Sequence, residues 1–171
     1  MAHYPNNLMR MIDWCGTPLL IRPVRADDAP RYVAGALLCS VEDLRFRFLR
    51  SISRLSEQLA SQLTQIDYEA HMVFVAEDLK GNLVAAARLA RDVCRKSAEC
   101  AVIVRTDLQR RGLGRLMLGL LEDYAVKHGV SELWGVMDND NRKALNLFRK
   151  FGYGFGFRAG LPFLRIAKSL A

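Results

Sequence analysis

The apolar positions of this chain first mark a strand at Leu19–Val24, followed by three short helices. Ala26-Asp27-Asp28 offers a helix start, with acids where the helix dipole favours them. Ala29–Leu38 follows, with Pro30 in the first turn, where proline is tolerated. Ser40 stands as the cap of Val41–Leu49, and Ser56 as the cap of Glu57–Gln65. Three apolar runs come next, Met72–Asp78, Leu83–Asp92 and Ala98–Val104. The turn residues Leu79-Lys80-Gly81-Asn82 join the first two, which predicts an antiparallel meander. From Thr106 the period changes. Leu113, Leu116, Met117, Leu120, Leu121, Tyr124, Ala125 and His128 recur at helical spacing, one face of a helix about four turns long, and Gly129 stands at its stop. Glu132–Met137 reads as a strand. Asp138-Asn139-Asp140-Asn141 reads as a turn into an Asn-capped helix, because Lys143 and Arg149 occupy the positions where a calcium loop needs Gly and Glu. Tyr153–Arg158 and Phe163–Ser169 close the pattern as two strands joined by Ala159-Gly160-Leu161-Pro162. The alternation of glycine with Tyr153, Phe155 and Phe157 predicts an aromatic face against the core.

A chain of 171 residues with 51% hydrophobic content predicts one domain with a sizeable core. No apolar run approaches the roughly 20 residues that cross a bilayer, and Met1–Trp14 lacks the basic and apolar regions of a secretion signal. A cytoplasmic protein without membrane association is expected. Cys15, Cys39, Cys94 and Cys100 form no Cys-x-x-Cys pair, and His3, His71 and His128 are scattered. Neither a metal site nor a disulfide framework is expected, and Cys94 and Cys100 read as buried thiols on neighbouring strands. Net charge is +7, with arginine outnumbering lysine 19 to 6. This suits an anionic cofactor or an acidic partner, whereas no helix-turn-helix or aromatic RNA platform supports nucleic-acid binding. Arg45, Arg47, Arg50 and Arg54 ride above Leu44, Phe48, Leu49, Ile52 and Leu55 at helical spacing, as a solvated face or as the wall of a channel or partner surface.

The densest candidate chemistry is Gln109-Arg110-Arg111-Gly112-Leu113-Gly114, between the apolar run Ala101–Val104 and the four-turn helix. Glycines let backbone N–H groups approach a phosphate, the helix N-terminus favours its charge, and Arg110, Arg111 and Arg115 add more. A plain strand-to-helix turn with solvated arginines has the same spacing. A dinucleotide turn would need a third glycine where Met117 stands, and the Gly-Lys-Ser/Thr of a P-loop is absent.

This segment resembles the Gln/Arg-x-x-Gly-x-Gly/Ala pyrophosphate loop of the Gcn5-related N-acetyltransferases (GNAT family). Asn141-Arg142-Lys143-Ala144-Leu145-Asn146-Leu147-Phe148 through Gly152-Tyr153 is similar to the family's second motif, and Leu20-Ile21-Arg22-Pro23 through Asp27-Asp28-Ala29 to its opening Ile-Arg-Pro-x-x-x-x-Asp strand and helix start. Leu44–Phe48 and Gln65–Glu69 resemble the acetyltransferase module of bacterial protein-lysine acetyltransferases that modify acyl-CoA synthetases. The resemblance covers residues 19 to 170. It implies an α/β GNAT fold, with a mixed, mostly antiparallel sheet of about six to seven strands flanked by helices. Residues 1–18 would form an N-terminal extension and 19–171 a single acetyltransferase domain, with no fused ligand-binding domain in this chain.

The activity implied is direct transfer of an acetyl group from acetyl-CoA to an amine, without a metal. The acceptor is a protein lysine, such as one on an acyl-CoA synthetase, or a small amine. A non-catalytic CoA-binding module is the alternative, and a homodimer is compatible with either. Carried onto matching positions, the family places pyrophosphate on Gln109, Arg110, Arg111, Gly112, Leu113 and Gly114, with Arg115 just inside the helix. The pantetheine arm runs along Val102, Ile103 and Val104, Asn141 bonds it, and Phe148 packs by the thioester. A backbone N–H near Val102 is the implied oxyanion donor. Glu99, in Glu99-Cys100-Ala101-Val102, matches the Glu of the named relatives and is the candidate base, with Glu69 and Asp67 weaker choices. Phe148 stands where many members carry a tyrosine acid, so either no dedicated acid is used or Tyr153 or another group substitutes.

Overall fold

Cys15 and Gly16 both take positive φ, 52° and 79°, the backbone that a tight two-residue hairpin demands. They fold Arg10–Trp14 (β1) onto Thr17–Pro23 (β2) in antiparallel register, with Trp14 opposite Thr17. The computed structural model describes residues 3–93, 96–157 and 162–170. After β2 come three short helices, Ala29–Ala36 (α1), Val41–Phe48 (α2) and Glu57–Thr64 (α3). The strands His71–Glu77 (β3), Leu83–Arg91 (β4) and Ser97–Val104 (β5) follow. Then come Leu113–Lys127 (α4), Glu132–Asp138 (β6), Arg142–Lys150 (α5), Gly154–Phe157 (β7) and Phe163–Ser169 (β8).

One sheet holds all eight strands in the order β1-β2-β3-β4-β5-β6-β8-β7. It is antiparallel except where β5 and β6 pair in parallel. The mixed, mostly antiparallel sheet expected from the sequence is present. Its additional strand is β1, from residues read as an extension: Met11 and Asp13 are exposed, so this edge strand carries little apolar signal.

Helix α4 buries Leu113, Met117, Leu118, Leu121 and Ala125 against one sheet face, where α5 adds Leu145 and Phe148. The opposite face carries Val24, Val73, Val75 and Ala86 beneath Tyr32 of α1. Three polar caps do what the sequence predicts. Ser40 accepts from the Asp43 N–H (3.0 Å), Ser56 from the Leu59 N–H (3.2 Å) and Asn141 from the Ala144 N–H (3.1 Å).

Several expectations are corrected. Helix α2 ends at Phe48 because Leu49 turns left-handed (φ 52°), so Arg50 and Arg54 lie beyond the helix and are exposed. Tyr153 is buried and Phe155 partly so, but Phe157 is 77% exposed, because β7 is short and lies at the sheet edge. Cys100 is buried as expected. Cys94, the end of the predicted strand at Arg158 and the turn residues Ala159, Gly160 and Leu161 lie outside the described residues.

Candidate active site

Strands β5 and β6 pair only from Ser97 to Glu99 against Glu132 to Trp134, and then they part. Each is held from behind, β5 by β4 and β6 by β8, so the gap stays open without unravelling the sheet. Ser97 and Arg105 direct their backbone at the β4 side: the Asp92 N–H donates to the Ser97 carbonyl (2.9 Å), and the Arg105 N–H to the Val84 carbonyl (3.0 Å). By strand alternation the backbone groups of residues 100, 102 and 104 face the gap. The result is a cleft of about 620 Å³ between Cys100–Val104 and Gly135–Met137, roofed by the first turns of α4 and α5. Gly135 matters because a Cβ there would lie 3.0 Å from the Cys100 carbonyl oxygen and crowd the point where the strands part.

At the mouth, Arg110 and Gly112 both take positive φ, 62° and 83°. The first α4 bond runs from the Leu116 N–H to the Gly112 carbonyl (3.0 Å), leaving the Leu113, Gly114 and Arg115 N–H groups without an intrahelical acceptor. A left-handed turn feeding free N–H groups at a helix N-terminus is an anion-binding concavity. Its back is braced by β1: the Trp14 indole donates to the Arg111 carbonyl (2.9 Å), and the Arg111 guanidinium stacks 4.6 Å above the Trp14 ring.

The sequence-predicted residues divide accordingly. Val102, Ile103, Val104, Gln109, Arg110, Gly112, Gly114, Arg115, Asn141 and Phe148 line one cleft. Arg111 does not, being turned toward Trp14, and Leu113 sits in the core. The Gln109 amide is committed to protein partners: it donates to the Val104 carbonyl (3.1 Å) and Asp43 Oδ2 (2.9 Å), and it accepts from Lys143 Nζ (2.8 Å).

Glu99 lies at the last paired position of β5. Its side chain is 40% exposed, with Arg88 Nη1 3.8 Å away, and it stands beside the cleft without lining it. Asp67 caps backbone, accepting from the Glu69 and His71 N–H groups (3.1 and 2.9 Å). At the closed end of the cleft, burial pushes the Cys100 thiol up to about 12, so this sulfur stays protonated and is no nucleophile near neutral pH. The Phe148 ring meets Tyr153 edge to face at 4.9 Å.

Helix α2 supplies a wall of the cleft, the second of the two readings its arginines allow, and adds Asp43 and Phe46, which the sequence did not single out. Arg45 pairs with Asp138 (2.9 Å), and Asp43, Phe46 and Arg47 line the cleft. Buried Asp43 accepts from Thr106 Oγ1 (2.6 Å) and Gln109 and faces Lys143 (3.4 Å). Burial works to raise its carboxyl, but the bonds from Thr106 and Ser40, with Lys143 and Gln109, outweigh burial and hold it below the usual carboxylate range. Only the Ser40-x-x-Asp43 start of the helix is visible in the sequence; the partners are far along the chain. Among the described residues no group of three His, Cys, Asp or Glu side chains could hold a metal ion, and no helix is long and apolar enough to cross a membrane.

Comparison with known proteins agrees with this geometry. The profile of the acetyltransferase (GNAT) family matches residues 38–153. An acetyltransferase of Pseudomonas aeruginosa is 33% identical over 141 residues, which span 81% of this chain and 76% of that protein. The acetyltransferase Pat of Mycolicibacterium smegmatis is 31% identical over 134 residues, 77% of this chain but 40% of the length of Pat. Among solved structures, the GNAT domain of PAT from S. lividans superposes with a TM-score of 0.89 at 23% identity, covering 98% of this chain and 99% of that one. Spermidine N-acetyltransferase from Vibrio cholerae, in complex with CoA and spermine, gives a TM-score of 0.69 at 21% identity over 89% of this chain and 95% of its own. The two structures share the fold.

Proposed function

Because the chain belongs to the acetyltransferase (GNAT) family, we propose that this N-acetyltransferase draws its acetyl group from acetyl-CoA in the β5–β6 cleft and passes it to a lysine amine of a protein acceptor. The observation that carries the reading is the opening of β5 from β6 directly beneath a turn of free N–H groups. Acetyl-CoA supplies an activated thioester. The residues of the cleft fit an extended anionic molecule of that kind. Free N–H groups at Leu113–Arg115, with Arg110 and Arg115, suit a pyrophosphate at the mouth. The backbone groups of Val102, on the edge of β5 that β6 leaves unpaired, suit an amide-bearing arm.

Glu99 is the proposed base. An attacking amine must first lose its proton, and a carboxylate at the end of the paired segment accepts it directly or through a water. The Val102 N–H, aimed into the gap, is the proposed donor to the acetyl oxygen as it gains charge. Similarity to Pat supports a protein acceptor.

The test is to incubate the protein with acetyl-CoA and a panel of amines and acyl-CoA synthetases, detecting acetylated product and free CoA by mass spectrometry. Product should form and fall by about 100-fold or more with Glu99→Gln, with acetyl-CoA affinity unchanged. Tight acetyl-CoA binding without transfer to any acceptor would favour a CoA-sensing role instead.

A further inference from the structure

We propose that the acceptor carries a carboxylate beside its reacting amine, and that Arg47, with Arg88 nearby, receives this carboxylate on the α2 side of the cleft. This rests on the N-acetyltransferase reading of the same cleft and narrows its acceptor.

The cations of the site are unequally matched with carboxylates. Arg45 is paired with Asp138 (2.9 Å), Lys143 with Asp43 (3.4 Å) and Arg88 with Glu99 (3.8 Å). Arg47 lines the cleft one turn beyond Asp43, yet among the described residues its guanidinium has no carboxylate partner and donates no hydrogen bond. It lies instead against the neighbouring Phe48 ring, whose centroid is 4.9 Å from the guanidinium carbon. A guanidinium holds five donors in a planar fork, and one that lines the cleft without a protein acceptor keeps that fork open to a ligand. Burial lowers the Arg47 guanidinium below its ordinary range. Tyr32 and Glu99 oppose this, and the like charge of Arg88 adds to it.

An amine arriving as a simple cation would meet two arginines and one carboxylate that Arg88 already shares. A carboxylate on the acceptor reverses that balance. It satisfies the Arg47 fork bidentately and leaves Glu99 for the amine. The chemistry is the same for the α-carboxylate of a free amino acid and for an acidic side chain near a lysine in a polypeptide.

Two matched pairs of acceptors test this: L-lysine against cadaverine, and a lysine peptide flanked by Glu against the same peptide flanked by Gln. Transfer is measured for the parent protein, Arg47→Gln and Arg47→Lys. Binding of each probe to the CoA-saturated protein is measured by calorimetry. The parent should favour the carboxylate member of at least one pair by about tenfold or more, and that pair identifies the source. Arg47→Gln should erase the preference with acetyl-CoA affinity unchanged, and Arg47→Lys should restore part of it. No preference in either pair, or a preference that survives Arg47→Gln, overturns the proposal. If no acceptor is acetylated, the calorimetry decides alone. Carboxylate-dependent binding lost in Arg47→Gln would uphold the clamp while the transfer reading fails, and equal binding within both pairs would overturn the clamp.

Discussion

Tyr153 shows how far a single side chain can depart from the role its type suggests. Its hydroxyl lies 4.0 Å from the Cys100 sulfur, and both are buried. Burial first, then the neighbouring Cys100 and Glu122, raises the phenol far above its ordinary range. A group that holds its proton so firmly is a poor acid for a departing thiolate. Tyr153→Phe is therefore expected to leave kcat near the parent value and to lower stability by about 1 kcal/mol, read by denaturant melts. A drop in kcat of about tenfold or more, with the fold intact, would return Tyr153 to the proton-donor role. At this scale Gly112 was readable as a turn residue, since only the glycine pattern was needed. The positive φ of its neighbour Arg110 was not, because nothing in an arginine announces it. Gly135 gave no signal either, as its crowding against the Cys100 carbonyl exists only once β5 and β6 are side by side.

Among the elements, α2 ties the two sides of the cleft. Asp43 reaches Thr106 and Gln109 beyond β5 and Lys143 on α5, while Arg45 reaches Asp138 at the end of β6. Asp43→Ala would remove the buried carboxylate that Thr106, Gln109 and Lys143 share, at a cost of about 1–3 kcal/mol, or about 2–4 °C in Tm for each kcal/mol. Calorimetric scans of parent and variant measure it, and an unchanged Tm would show that the tie contributes nothing. The helices and most strands were legible because their causes are local: a serine or asparagine cap, a period of two or 3.6, a turn between runs. The pattern left α2 open between a solvated face and a wall because the partners that decide it stand 63 to 100 residues away. Strand β1 was hidden for another reason: its brace on the turn before α4, Trp14 to Arg111, joins two segments 97 residues apart and leaves no periodic pattern.

At the scale of the whole molecule, charge ties β2 to the segment that follows it and to β3. Arg22 is fully buried and donates to both Asp28 oxygens (2.7 and 2.8 Å), with Glu77 on the next strand beside it (2.6 Å). Burial works to raise the Asp28 carboxyl, but Arg22, the Arg25 N–H and Arg31 outweigh it and hold it below the ordinary range. A carboxyl lowered by folding contributes stability that is complete above its unfolded value, about 3.9, and is lost as pH falls through the folded one. Asp43 acts with the same sign. Tm should thus be nearly level above about pH 5 and fall steadily below about pH 4, and a Tm unchanged from about pH 5 to pH 3 would contradict the assignment.

At the same scale, one joint links sheet and helix, the turn that meets the open mouth of the β5–β6 cleft. Nothing lies within 4 Å of a Cβ built on Gly112, so Gly112→Asp fits without a clash and brings a negative charge to the turn. The positive φ there adds strain of about 1–2 kcal/mol, which circular dichroism and a melt would separate from loss of fold. The deciding measurement is a calorimetric titration of acetyl-CoA into the parent protein and into folded Gly112→Asp. The parent should bind one equivalent, and the variant should bind at least about 100-fold more weakly, as removal of two or more charge-assisted contacts requires. Equal affinity in the two proteins would mean that the phosphates do not sit on this turn, and the site would have to be sought elsewhere.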